Sequence, residues 1–169
     1  MNTILYAQPY DISATGFYFE TGEDYAKKAR SLRNAHGEHV EEFEIQFIDG
    51  EAINAAFAEA VGLHQGQLAA FFEAVEAWHV HQKLGVIIAV WECGYSFDLA
   101  EDGTGDFDLD IYEGMTLRDL AEQFVEEGLF GEIPERLAFY LDFDAIARDL
   151  SADYTETEIA GIRLTYRCA

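Results

Sequence analysis

Apolar and polar positions change period along the chain, and each change marks a segment. "TILYAQ" and "GFYFE" are rich in β-branched and aromatic residues, and "EEFEIQFID" alternates strictly, with Phe43, Ile45 and Phe47 on one side. Period-two runs of this kind predict strands. Between them "EDYAKKARSLRNAHG" has helical character and predicts a helix stopped by Gly37. In "EAINAAFAEAVG" Ile53, Phe57 and Ala60 fall on one helical stripe before Gly62, and in "GQLAAFFEAVEAWHV" Leu68, Phe71, Phe72, Val75 and Trp78 do the same. Two facing helices are predicted. "GVIIAVWEC" is a continuous apolar, β-branched run that predicts a buried strand, with a buried helix segment as the alternative at this length.

The alternation returns in "DFDLDIYEGM", where Asp106, Asp108 and Asp110 take every second position and Phe107, Leu109 and Ile111 lie between them. A strand with three carboxylates on one face is predicted. "MTLRDLAEQFVEEG" then reads as a helix with Leu117, Leu120, Ala121 and Phe124 inward and Asp119, Glu122 and Glu126 outward. Pro134 suits the first turn of a helix over "PERLAFYL", and Asp142 suits the N-cap of "FDAIARDL", where Asp144 sits four before Arg148. "DYTETEIAGIRLTYRC" predicts a hairpin turning at Ala160-Gly161. The fold class is therefore α+β, with antiparallel sheet and helices at both ends and a helical middle. Its divisions are 1–50, 51–105 and 106–169.

With 169 residues, half of them apolar and 14% aromatic, the chain holds enough material for a core despite a net charge of −23. The charge is uneven. Residues 1–85 hold 13 acids and 5 bases (−8), and 86–169 hold 20 acids and 5 bases (−15). From Asp98 to Glu127 eleven acids face the single base Arg118. Such a field argues against nucleic acid or an anionic membrane as ligand, because both are bound through Lys and Arg. No secretory leader pattern or membrane-length apolar run occurs, and Cys93 and Cys168 are too few and too far apart for a disulfide framework or a CxxC site, so both read as reduced thiols of a cytoplasmic protein.

Three kinds of chemistry compete for the acidic segment. Aspartates on alternate strand positions stand about 6.6 to 7 Å apart, comparable with successive phosphates on a DNA strand, which advance about 3.4 Å along the axis and also sideways. An ordered row of them can imitate a phosphate ladder and occupy a basic groove; the plainer alternative is a solvated acidic face. "DGTGDFDLDIYE" also carries oxygen side chains at EF-hand spacing, yet Phe107 stands where that loop needs glycine. His79 and His81, two apart on a predicted helix, point to different sides and do not suit a shared metal. With 33 acids, adjacent carboxylate pairs arise by chance. No GxGxxG, GKS/GKT, GxSxG or Cys/His nucleophile signature occurs, so no cofactor and no catalysis is expected. Phe107, Tyr112, Phe124, Phe139, Tyr140, Phe143 and Tyr154 match the apolar stripes and are expected in the core.

Between Glu122 and Tyr166, Gly131, Ile133, Pro134, Tyr140, Asp142, Phe143, Arg148, Asp149 and Leu150 follow one another in an order and spacing that resemble the C-terminal module of the ArdA-type antirestriction proteins. "ILYAQPYD" and "EEFEIQFID" are similar to the family's first-domain strands, so the likeness covers roughly the first 50 and last 65 residues. It implies an elongated, modular homodimer from a mobile element or phage, whose acidic surface imitates bent B-form DNA. It also implies a target, the DNA groove of type I restriction-modification enzymes, chiefly the methyltransferase core with its specificity subunit, and no catalysis.

On that basis the partner-binding carboxylates are expected at Asp98, Glu101, Asp102, Asp106, Asp108, Asp110, Asp119, Glu122, Glu126 and Glu127, extended by Asp142, Asp144, Asp149 and Asp153. The same charges would suit another nucleic-acid machine, such as a CRISPR complex. A calcium-binding module, or a hydrolase using one carboxylate pair, is the other alternative.

Overall fold

The computed structural model describes residues 2–169 as mixed α+β, with two small antiparallel sheets of three strands each. Contacts divide the chain into two compact units, one up to Asp106 and one from Phe107 to Ala169.

In the first unit β1 (Ile4–Pro9) lies between β2 (Phe17–Phe19) and β3 (Phe43–Asp49). Leu5 pairs with Phe19 and Phe47, and Ala7 with Phe17 and Ile45, so these side chains share one face of the pleat. α1 (Gly22–Ser31) sets Tyr25 against Phe17, Phe19 and Phe43 at ring separations of 5.0 to 5.9 Å. α2 (Ala52–Ala60) and α3 (Leu68–Ala77) meet through the stacked rings of Phe57 and Phe71, 6.0 Å apart. Gly62, at φ +60°, supplies the left-handed turn just beyond α2. Phe19, Phe57 and Phe71 are fully buried, each contributing about 1.5–3 kcal/mol of transfer free energy.

Several expectations for this unit need correction. α1 ends at Ser31, six residues before Gly37, because Leu32 turns extended and returns its N–H to the carbonyls of Lys28 and Ala29. The Asn34 side chain then accepts from the N–H groups of His36 and Glu38, organising a separate turn. The apolar run beyond Gly85 is not a strand but part of α4 (Val80–Trp91). Leu84, Val86, Ile87, Ile88 and Ala89 are all buried, so burial on every side removes the polar face that would have revealed a helical period. His79 is the N-cap of α4, its backbone N–H bonded to Gln82, while His81 lies in the first turn.

In the second unit β6 (Ile162–Cys168) lies between β4 (Leu109–Glu113) and β5 (Thr155–Ile159). The β5–β6 hairpin closes on two residues with positive φ, Ala160 at +52° and Gly161 at +79°, the geometry of a type I′ turn. α5 (Leu117–Glu126) and α6 (Phe143–Leu150) pack together. One core cluster is Leu120, Phe124 and Tyr154, with Tyr112, Leu117 and Leu150 against it, and Ala121, Ile159, Leu164 and Tyr166 are buried as well.

Here too the expectations shift. β4 starts at Leu109, so Asp110 alone of the three alternating aspartates lies in a strand. Leu109 pairs with Cys168, the last residue of β6, and beyond it the Asp108 carbonyl accepts from the Ala169 N–H. The same pairing rules out an EF-hand, since the second half of that loop is a sheet strand and no helix leads into it. Residues 135–140 form a 3-10 helix with Pro134 as N-cap and no buried residue. Phe139 and Tyr140 are 93% and 83% exposed, not core. Four-residue spacing cannot produce a buried stripe on a helix with three residues per turn. Neither Cys93 nor Cys168 is a free thiol, which corrects the reduced state expected from their spacing. No helix among the described residues is long and apolar enough to cross a membrane.

Candidate functional site

The acidic segment begins in the first unit, on an irregular stretch after α4. Asp98 and Asp102 hold its turn: the Asp98 N–H donates to Asp102 Oδ2 at 2.7 Å, and Asp98 Oδ1 accepts from the Ala100 N–H at 2.9 Å. Glu101 and Asp106 are exposed on the same stretch.

In the second unit α5 carries the next group. Its N-terminus is a capping box in which Asp119 Oδ2 accepts from the Thr116 N–H (2.8 Å) and hydroxyl (2.7 Å), while Thr116 Oγ1 accepts from the Asp119 N–H. The bonds from Thr116, its backbone N–H foremost, hold the Asp119 carboxyl below the usual carboxylate range. Glu126 and Glu127 are exposed at the other end, Glu127 accepting from Gln123 Nε2 at 2.7 Å. Asp142 caps α6 by accepting from the Ala145 N–H at 3.0 Å. Asp149 and Asp153 are exposed at and just beyond its end.

Three of the expected carboxylates carry counter-ions. Asp110 faces Arg167 across the β4–β6 register and accepts from its Nε at 2.9 Å and its Nη2 at 2.6 Å. This guanidinium also lies 5.2 Å from the Tyr154 ring centre, and its bond to Asp110 raises its pKa further above neutrality. Asp144 and Glu122 share Arg118, whose Nη1 is 2.6 Å from Asp144 and whose Nε is 3.2 Å from Glu122. Asp144 thus pairs across helices with α5, in place of the expected i, i+4 partner Arg148. All three pairs are half open to solvent and contribute little to stability. Their consequence is electrostatic: these acids present far less net field than a bare carboxylate.

Among the described residues no ion pair involves the remaining expected acids, Asp98, Glu101, Asp102, Asp106, Asp108, Asp119, Glu126, Glu127, Asp142, Asp149 and Asp153. Sequence reasoning missed Arg118 and Arg167 as internal counter-ions. Pairing β4 with the closing hairpin would have set Arg167 opposite Asp110, whereas nothing local couples Arg118 to Asp144. It also passed over the exposed Glu41, Glu42 and Glu44 around β3, which lie outside the densest run. No group of three metal-binding side chains occurs among the described residues.

No curated protein matches the chain. The family model of the ArdA antirestriction protein matches residues 11–161, nearly the whole length. The chain therefore belongs to the ArdA family of antirestriction proteins.

Proposed function

We propose that the protein inhibits type I restriction-modification enzymes by presenting carboxylates where duplex DNA presents phosphates. The occupied surface is the DNA groove of the methyltransferase core with its specificity subunit, in the cytoplasm of the host bacterium. One observation carries this reading: in a member of an antirestriction family, most of the expected acids between Asp98 and Asp153 form no ion pair among the described residues, and several are held by backbone and side-chain donors. A field of this kind meets Lys and Arg side chains without ordering them by covalent chemistry, so inhibition is by occupancy and no bond is made or broken.

Capped helices and a closed turn fix Asp98, Asp102, Asp119 and Asp142 before contact. Duplex DNA must often be bent on binding, at a cost of about 1–6 kcal/mol. Carboxylates held in place within each unit avoid that cost locally. The unpaired acids Glu101, Asp106, Asp108, Glu126, Asp149 and Asp153 supply the field, and Asp110, Glu122 and Asp144 are secondary because Arg167 and Arg118 offset them.

The protein acts as a homodimer in this reading, and the second unit offers exposed apolar side chains for it. Leu129, Phe130, Leu137, Phe139 and Tyr140 are exposed along one stretch of chain, more than scattered surface hydrophobes explain. Converting Phe139 and Tyr140 to serine is expected to weaken self-association about tenfold or more, read by sedimentation velocity across a concentration series, with the far-ultraviolet spectrum unchanged. Undiminished dimer in that variant would place the interface elsewhere. For inhibition itself, neutralising Glu101, Asp106, Asp108, Glu126, Asp149 and Asp153 together to Asn or Gln is expected to abolish protection of unmodified DNA from cleavage. Full protection by that variant would refute the reading.

A further inference from the structure

β3 is an edge strand whose outer backbone is only partly occupied. Its ladder with β1 pairs Gln8 with Glu44 and Tyr6 with Gln46, and continues with the Tyr10 N–H donating to the Glu42 carbonyl. Backbone groups alternate sides in an antiparallel pair, so Phe43, Ile45 and Phe47 turn theirs away from β1. At the first of these positions the Gln65 side chain stands in for a neighbouring strand: its Oε1 accepts from the Phe43 N–H at 2.8 Å and its Nε2 donates to the Glu41 carbonyl at 3.1 Å. Ile45 and Phe47, the next two positions outward, have no such partner among the described residues.

These two residues form one wall of an open groove of about 450 Å³, with Ala55, Ala58 and Glu59 of α2 forming the other. Ala55 and Ala58 present only methyl groups to it. Donor and acceptor pairs that repeat every second residue, about 6.6–7 Å apart, are matched by another extended chain. Glu44 and Glu59 line the same groove, are exposed, and have no ion-pair partner among the described residues, so the complementary side chains are cationic. We propose that the groove between β3 and α2 accepts an extended lysine- or arginine-bearing segment of a partner protein as an added strand. It uses none of the carboxylates of the mimicking surface, so it stands or falls separately from that reading.

The test uses the wild-type protein, labelled with nitrogen-15, and a seven-residue peptide of alternating lysine and threonine with blocked ends. At about ten times the dissociation constant, hydrogen exchange of the Ile45 and Phe47 amides is expected to slow about tenfold, with the β5–β6 hairpin unaffected. Two further peptides carry N-methyl groups on alternate residues in opposite phase and keep the charge. One phase, which blocks the edge facing β3, is expected to lose binding at least tenfold, and the other to bind as the parent does. Glu59→Lys, an exposed change, is expected to weaken the parent peptide severalfold. Unchanged exchange at Ile45 and Phe47, or equal binding by all three peptides, would overturn the proposal, since charge attraction alone predicts no dependence on the peptide's amides.

Discussion

At the scale of single residues, backbone conformation and hydrogen-bond geometry decide more than composition does. Ala160 sits at φ +52° in the two-residue turn of the β5–β6 hairpin, beside Gly161 at +79°. A left-handed L-residue other than glycine or asparagine costs about 1–2 kcal/mol, and Asn-Gly is the preferred pair for this turn. Ala160→Asn is expected to raise stability by about 0.5–1 kcal/mol, read as a higher denaturant midpoint at unchanged slope; a lower midpoint would contradict the turn assignment. Asp119 shows the same logic in charge. Its carboxyl is depressed below the ordinary value by the Thr116 donors, so its stabilising effect is present above pH 3.8 and is lost as the pH falls through the lower folded value.

At the scale of elements, one buried ammonium ties three helices. Lys83 of α4 is almost wholly buried and donates to Asn54 Oδ1 of α2 at 2.7 Å and to the Val75 carbonyl of α3 at 3.2 Å. Burial lowers its pKa, with Glu51 opposing. The unfolded chain therefore holds this proton to higher pH than the folded one, so the penalty is full below the folded pKa and relieved as the pH rises toward 10.5. Lys83→Met alone leaves the Asn54 amide oxygen without its donor and is expected to cost about 1–3 kcal/mol. The double variant Lys83→Met/Asn54→Leu is expected to recover at least to wild type, as apolar replacement of a buried polar pair often does. Urea unfolding checks both, and a double variant weaker than the single one would contradict this view of the contact.

Half-buried strands and helices announce themselves by one wet face: β1, β3 and α5 did so through Leu5, Ile45 and Leu120. α4 has no wet side along Leu84–Ala89 and looked like a strand. The stretch around Phe139 and Tyr140 had the apolar content of a core helix and is open to solvent, because content says nothing about which partner covers it. Among the candidate acids, the caps Asp119 and Asp142 were readable from short-range patterns. The counter-ions of Asp110 and Asp144 were not, since their pairing depends on contacts made by distant parts of the chain.

At the scale of the whole molecule, a net charge of −23 with its excess in the second half acts through the sum of many carboxylates. Neutralising one exposed acid is expected to change affinity for the target by about 1 kcal/mol or less, and a series of single variants read by DNA-protection titration should show no position that abolishes inhibition. Total loss from one Asp or Glu change would indicate a reactive or coordinating residue instead of a field. The most direct measurement is displacement of a fluorescent recognition duplex from the methyltransferase core of a type I enzyme by the full-length protein, followed by anisotropy from low to high salt. The duplex is expected to be released, no complex is expected to contain both DNA and inhibitor, and inhibitory strength is expected to fall steadily as salt screens the charges. Inhibition with the duplex still bound, or inhibition indifferent to salt, would contradict DNA mimicry.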